Sequence, residues 1–302
     1  MTQTRMPAIA LAAVPGRRRA ILEVGREIER RGFSGIYCAS FGDGLGLCEA
    51  LALVTERIRI GTAIAILYTR HVTDYAQTAA LVHELSGGRF DFGVGVSHGP
   101  VHQRLGLAVG KPLADVRRFV ADLRAVPRVG ELPPVVLAGL RDPMVRLAGE
   151  IADGVVFANA ARSHMGHSLG LLPAEKRAAG FFVGNMIPTC ISDDVAAAAA
   201  VNRKTLTSYA FLPNYRAYWK AAGYVEEMEA IERAIEAREP DRIPALLSDR
   251  WLEDTTLFGP AAQVREGVER WFEAGVGTPI LVPSSAAGNQ MKAIEELFAA
   301  YA

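Results

Sequence analysis

The 302-residue sequence predicts one (β/α)8 TIM barrel, a single domain over residues 1–302, with its active site at the C-terminal ends of the strands. Three observations predict it. Eight short apolar runs alternate with helical stretches along the chain. The runs are apolar almost throughout, as parallel strands buried on both faces are. No G-x-G-x-x-G follows the first run, where an open doubly wound sheet would carry one; the turn there reads Pro15-Gly16-Arg17.

The first run, Ala8 to Val14, ends at Pro15-Gly16. An amphipathic stretch from Arg17 to Arg31 follows, with Ile21, Val24 and Ile28 on one face and Gly32 as its C-terminal stop. Arg17-Arg18-Arg19 reads as a water-facing helix start. The second run, Gly35 to Ser40, leads through Phe41-Gly-Asp-Gly44 to a helix near Leu45–Thr55, and the glycines at 42, 44 and 46 read as a flexible loop. The third run, Ile58 to Ala65, is followed by a loop (66–72) and a helix from Thr73 to Leu85. The fourth is Phe90 to Ser97, the fifth Val135 to Ala138 and the sixth Gly154 to Ala158. The seventh spans roughly Val183 to Ile191, and the eighth is Pro279 to Val282.

Two stretches interrupt the alternation. Residues 98–134, between strands four and five, hold one helix (Leu113 to Val126) and several prolines. Residues 202–250 read as a helical insertion bearing Tyr209, Phe211, Tyr215, Tyr218, Trp219 and Tyr224. Those aromatics suit a packing stripe, or a cover over the barrel mouth or a subunit interface.

Composition narrows the function classes. Lys+Arg and Asp+Glu both number 33, so nothing favours a nucleic-acid partner. Half the residues are hydrophobic, enough for a large core. No apolar run reaches the roughly 18 residues of a membrane span, and no signal-peptide pattern is visible. Cys38, Cys48 and Cys190 show no Cys-x-x-Cys spacing and read as free thiols. The expectation is a cytoplasmic protein with no membrane partner. His-x-x-x-His, Glu-x-x-His and G-x-S-x-G patterns are missing, so neither a metal site nor that class of serine hydrolase is expected.

Strand ends nominate the site. The turn Ala138-Gly-Leu-Arg-Asp-Pro-Met144 is the best anion site, since a strand ends, Gly139 allows close approach and a helix starts with Arg141 in reach. The same segment also reads as an ordinary turn with Asp142 as cap and Pro143 in the first helical turn. His98 closes the fourth run, whose internal glycines mark close approach of a ligand or of another backbone. The other histidines, at 71, 83, 102, 164 and 167, read as solvated surface. A mouth this poor in charged acid–base groups suits chemistry carried by a bound cofactor.

The motifs Thr55-Glu-Arg-Ile-Arg-Ile-Gly-Thr62, Arg70-His71, Glu84-Leu-Ser-Gly-Gly-Arg-Phe90 and Gly93-Val-Gly-Val-Ser-His98 resemble those of the luciferase-like flavin and deazaflavin oxidoreductases. So do Val136-Leu-Ala-Gly139, Arg146-Leu-Ala-Gly-Glu-Ile-Ala-Asp-Gly154, Gly259-Pro260 and Ala274-Gly-Val276. The resemblance covers most of the chain. It implies a barrel holding coenzyme F420, an 8-hydroxy-5-deazaflavin, or alternatively FMN. It implies a non-prolyl cis peptide near Ala63-Ile64 behind the ring, with Val96, Ser97 and His98 flanking it. It also implies a phosphate held by Gly139, Leu140, Arg141, Asn159, Ala160 and Arg162.

Two departures stand out. Ser40-Phe41 occupies the place after strand two where many members carry His or Asp-His, and the segment between strands four and five is short. The expected activity is hydride transfer between the deazaflavin and a small organic substrate, with His98, Ser40 and Tyr68 as candidate catalytic residues. The alternatives are an FMN monooxygenase using O2 and a non-catalytic flavin-binding subunit. Expected partners are the substrate, a reductase supplying reduced cofactor, and a second copy in a homodimer.

Overall fold

The computed structural model describes residues 5–40, 42–178 and 180–302. Phe41, singled out above, lies outside the described residues. All eight expected runs form strands. In chain order the strands are β1 (Ala8–Leu11), β2 (Gly35–Cys38), β3 (Arg59–Thr62) and its two-residue continuation β4 (Ala65–Ile66). Then come β5 (Phe90–Gly95), β6 (Val135–Ala138), β7 (Gly154–Ala158), β8 (Phe182–Ile191), β9 (Leu257–Gly259) and β10 (Thr278–Ser284). Helices separate them, beginning with Arg18–Arg30, whose Ile21, Val24 and Ile28 are buried as their spacing requires.

The chain divides into two compact units, Met1–Val156 with Leu171–Gly184, and Phe157–Gly170 with Asn185–Ala302. In the first, β1, β2, β3, β5, β6 and β7 pair in that order, all parallel. Ile9, Ile36, Ile60, Phe90, Phe92, Val94 and Leu137 are fully buried there, because strands covered on both faces leave no side for water. In the second unit β8 pairs with β9 in parallel through Thr189↔Leu257 to Ile191↔Gly259, and β10 also pairs with β8. Its core is built around Trp219, Trp251 and Trp271, all fully buried.

Four local expectations change. Residues 98–134 carry a second helix, Gly99–Leu105, besides Pro112–Ala125. It has seven residues and buries none of them, so no apolar stripe announced it. Strand β9 is three residues long, too short for any period to show. Residues 42–46 are not a flexible loop: Asp43 caps the helix Gly44–Val54, accepting from the Gly46 N–H at 3.0 Å. Finally, the helical segment runs from Val195 to Thr255, wider than expected. Its Tyr215, Tyr218, Trp219 and Tyr224 are buried, whereas Phe211 is exposed. Tyr215 lies 5.4 Å from Trp219, which meets Trp251 edge-on at 4.8 Å, so most of the aromatic stripe is packing.

A charged group lies within the strands of the first unit. Asp91, on β5, is 3 % exposed. It accepts a hydrogen bond from the buried Tyr37 hydroxyl at 3.0 Å and pairs with the Arg59 guanidinium through both oxygens. Asp91→Ala would remove a buried acceptor shared by the Tyr37 hydroxyl and the Arg59 guanidinium. Arg59 is half-exposed and can turn to water, so the expected loss is about 2–3 kcal/mol, at or below the low end of the roughly 3–5 kcal/mol for breaking a buried pair. Chemical denaturation of the variant checks it.

Candidate active site

The first unit gathers most of the predicted site residues at the ends of β2, β3, β5 and β6. Between the pairs Gly61↔Asp91 and Ala65↔Val94, three residues on the β3–β4 side face two on β5. The extra residue makes a bulge, which re-aims the chain. The peptide Ala63-Ile64 inside it is cis, as the resemblance places it. Thr62 Oγ1 donates to the Gly93 carbonyl at 2.6 Å and locks the bulge to β5.

The in-strand glycines have a protein explanation. A Cβ on Gly93 would lie 1.8 Å from the Thr62 carbonyl oxygen, and one on Gly95 would lie 2.6 Å from the Ala138 Cβ. Of the two readings, approach of a ligand or of another backbone, Gly93 follows the second. Gly139 is similar: its Cβ would meet Val155 Cγ2 at 2.7 Å.

The chain leaves β5 through Val96 and Ser97, the latter at φ 61°, uncommon for a residue with a side chain. His98 then stands at the N-cap of Gly99–Leu105. It is half-buried, and burial, reinforced by His102, holds its imidazole below the ordinary histidine range. At neutral pH the ring is therefore mainly uncharged.

His102, one turn along that helix, is half-buried rather than solvated. Its Nε2 lies 2.5 Å from the Val96 carbonyl. A carbonyl only accepts, so this nitrogen carries the proton. Tyr68 meets the His102 ring edge-on at 5.7 Å and donates its hydroxyl hydrogen to Asp115 Oδ2 at 2.8 Å. Asp115 is buried and also accepts the Gly110 N–H at 2.9 Å. Burial and Asp115 push the Tyr68 phenol up. Tyr68 is thus a poor acid at neutral pH and a good hydrogen-bonded prop. Ser40 is exposed just beyond β2.

The anion turn opens the helix Asp142–Ile151. Its N-cap is Arg141, with no side-chain cap, so the predicted Asp142 cap is corrected: Asp142 lies in the first turn. The N-cap side chain itself makes no bond to the main-chain donors at this end. Arg141 is exposed, Leu140 half-buried, and the Gly139 N–H is used by the Val156 carbonyl at 3.0 Å.

The second unit carries Asn159, Ala160 and Arg162 on the turn after β7. Asn159 is 4 % exposed and holds φ 55°, and its buried amide faces the Tyr209 and Tyr215 hydroxyls without a hydrogen bond of normal length. Such an under-satisfied donor fits a ligand oxygen. Ala160 is fully buried and Arg162 half-buried.

Of the remaining histidines, His71 is exposed and caps the helix Val72–Leu85 by accepting from the Thr73 N–H. His83 is not surface: its side chain is only 12 % exposed. His164 is half-buried and stacks on the exposed His167 at 4.6 Å. The three cysteines are free and buried. Among the described residues, no helix is long and apolar enough to cross a membrane.

A family model described as luciferase-like monooxygenase matches residues 2–278. A Mycobacterium tuberculosis protein provisionally assigned as a coenzyme F420-dependent oxidoreductase is 26 % identical over 281 residues, covering 77 % of this chain and 81 % of that one. Among solved structures, the coenzyme F420-dependent tetrahydromethanopterin reductase from Methanopyrus kandleri superposes with a TM-score of 0.75. It is 18 % identical and covers 99 % of this chain and 100 % of its own. A monooxygenase from Streptomyces bottropensis superposes with a TM-score of 0.63 at 16 % identity, over 98 % of this chain and 100 % of its own. These likenesses show the fold, a (β/α)8 barrel with alternating strands and helices.

Proposed function

We propose that this chain, which belongs to the luciferase-like monooxygenase family, is a coenzyme F420-dependent oxidoreductase acting as a reductase on a small organic substrate. Its family makes it an enzyme of the flavin or deazaflavin kind. The observation that carries the reading is the end of β3 and β5: a bulge with the Ala63-Ile64 peptide locked by Thr62, beside Val96, Ser97 and an uncharged His98. Ala63 and Ile64 would back the coenzyme ring, and Val96, Ser97 and His98 would flank it. Gly139, Leu140 and Arg141 are candidate contacts for its phosphate, and so are Asn159, Ala160 and Arg162. Asn159's under-satisfied amide supports that fit.

When bound, the coenzyme would supply the hydride. The protein then positions the substrate, shields it from water and manages a proton. His98 is the residue for that task. Its neutral ring orients a substrate oxygen by donating one N–H, and as the substrate is reduced it can pass that proton on while its other nitrogen takes one from solvent, so that the ring stays neutral. Tyr68 acts through Asp115 and His102 as a positioning residue. Ser40 remains a candidate for a substrate contact. Reduced coenzyme would come from a separate reductase, and two copies of the chain would pair as a homodimer.

Titration of purified protein with F420 and with FMN tests the assignment. F420 is expected to bind at least tenfold more tightly. Tighter FMN binding, with oxygen consumed and a hydroxylated product formed, would move the chain to the monooxygenases. Binding without turnover from any donor would make it a carrier.

A further inference from the structure

The turn after β7 is held from the helical segment by bonds to its main chain, at every second residue. Trp219 Nε1 donates to the Asn159 carbonyl at 3.1 Å. The Tyr218 hydroxyl accepts the Ala161 N–H at 3.2 Å. Asp254 accepts from Ser163 twice, from its N–H at 2.9 Å and from its hydroxyl at 2.6 Å. Asp254 is itself fixed by the Tyr224 hydroxyl, which donates to it at 2.8 Å. All of these groups lie within the second unit.

Packing alone does not account for this pattern. A phenylalanine would fill the Tyr218 position as well, and Trp219 already has Tyr215 and Trp251 to pack against. The Tyr218 hydroxyl and the Trp219 N–H bond the backbone of one turn, and Asp254 bonds both the N–H and the hydroxyl of Ser163 in it. The bonds also help keep Asn159 at φ 55°, where a side chain is rarely found. Asn159 and the residues between the tethered ones, Ala160 and Arg162, are among those assigned to the coenzyme's phosphate. A binding turn fixed before its ligand arrives loses less ordering entropy on binding.

We propose that Tyr218, Trp219 and Asp254 are positioning residues that preorganise the turn 159–163 for the coenzyme's phosphate, so that the helical segment sets coenzyme affinity. The proposal rests on the functional reading above. It separates two jobs inside one aromatic stripe: Tyr215 and Trp251 fill space, while Tyr218 and the Trp219 N–H hold the turn.

The test compares wild type with Tyr218→Phe, which removes one oxygen, and with Ser163→Ala, which removes one of the two bonds to Asp254. Three quantities are read: amide hydrogen exchange in the peptide spanning 157–164, dissociation constants for F420 and FMN, and kcat at saturating coenzyme. Each variant should exchange about fivefold faster in that peptide, and should bind the coenzyme about fivefold more weakly. kcat should change less than twofold, and the melting temperature by only a few degrees. Equal affinity in wild type and both variants would overturn the proposal, as would unchanged exchange. Faster exchange across the whole second unit would mark a general loss of stability, and would overturn it too. A wild type that binds neither coenzyme would instead fail the functional reading, and with it the purpose given to these bonds.

Discussion

Gly93→Ala should leave little or no folded protein to assay. The added Cβ would lie 1.8 Å from the Thr62 carbonyl oxygen, far inside contact distance, and the obstacle is backbone rather than a side chain that could swing away. Relief would require β3 and β5 to part at the bulge, where Thr62 Oγ1 already binds the Gly93 carbonyl. The neighbouring residues offer no slack, since Phe92 and Val94 are fully buried. Overpacking of this kind costs about 1–3 kcal/mol when side chains can yield, and more when a strand must move. The expected loss therefore exceeds about 4 kcal/mol, a large part of a domain's whole stability. Soluble yield and a denaturant midpoint measure it. A Gly93→Ala protein with a wild-type midpoint would mean that the two strands do not meet as described.

His98→Gln should lower turnover about a hundredfold while leaving coenzyme affinity within a few fold. A positioned proton-transfer group typically contributes 10²–10⁴-fold; glutamine keeps a donor and loses the titrating ring. The pH profile gives a second reading. Burial and His102 disfavour the charged imidazolium, so the neutral form persists below the ordinary histidine value. Activity that needs the neutral ring should survive as pH falls through about 6.5 and decline only below the lowered value. Stability has the same sign: the unfolded chain takes up this proton more readily, so this group makes the fold less stable as the medium turns acid. In His98→Gln that acid limb of kcat/KM should flatten. Retention of more than a third of wild-type turnover would remove His98 from the mechanism.

The site was partly legible in the sequence. Position at a strand's end marked Ser97 and His98, and the motif resemblance added Val96 and located the cis peptide at Ala63-Ile64. The resemblance could not reveal that Tyr68 is committed to Asp115, 47 residues away. Nor could it show that His102 is half-buried against the Val96 carbonyl. The helix carrying His102 is short and buries none of its residues, so periodicity gave no reason to look inward. Asp254, Tyr218 and Trp219 were equally hidden. Their bonds to the turn after β7 cross 57 to 91 residues of chain.

The sequence by itself determined the alternation of strand and helix, because buried parallel strands must be apolar and their helices must carry one apolar face. From that followed the barrel fold and the end of the strands where chemistry belongs. Tertiary structure decided the rest. It decided that the in-strand glycines make room for neighbouring protein, that Asp142 is not a cap, and that the Tyr68 hydroxyl is bonded to Asp115. It also divided the aromatic stripe between packing and holding a turn. The physical reason is range: periodicity and capping act over a few residues. A hydrogen bond or a steric contact between distant segments exists only once the fold has brought them together.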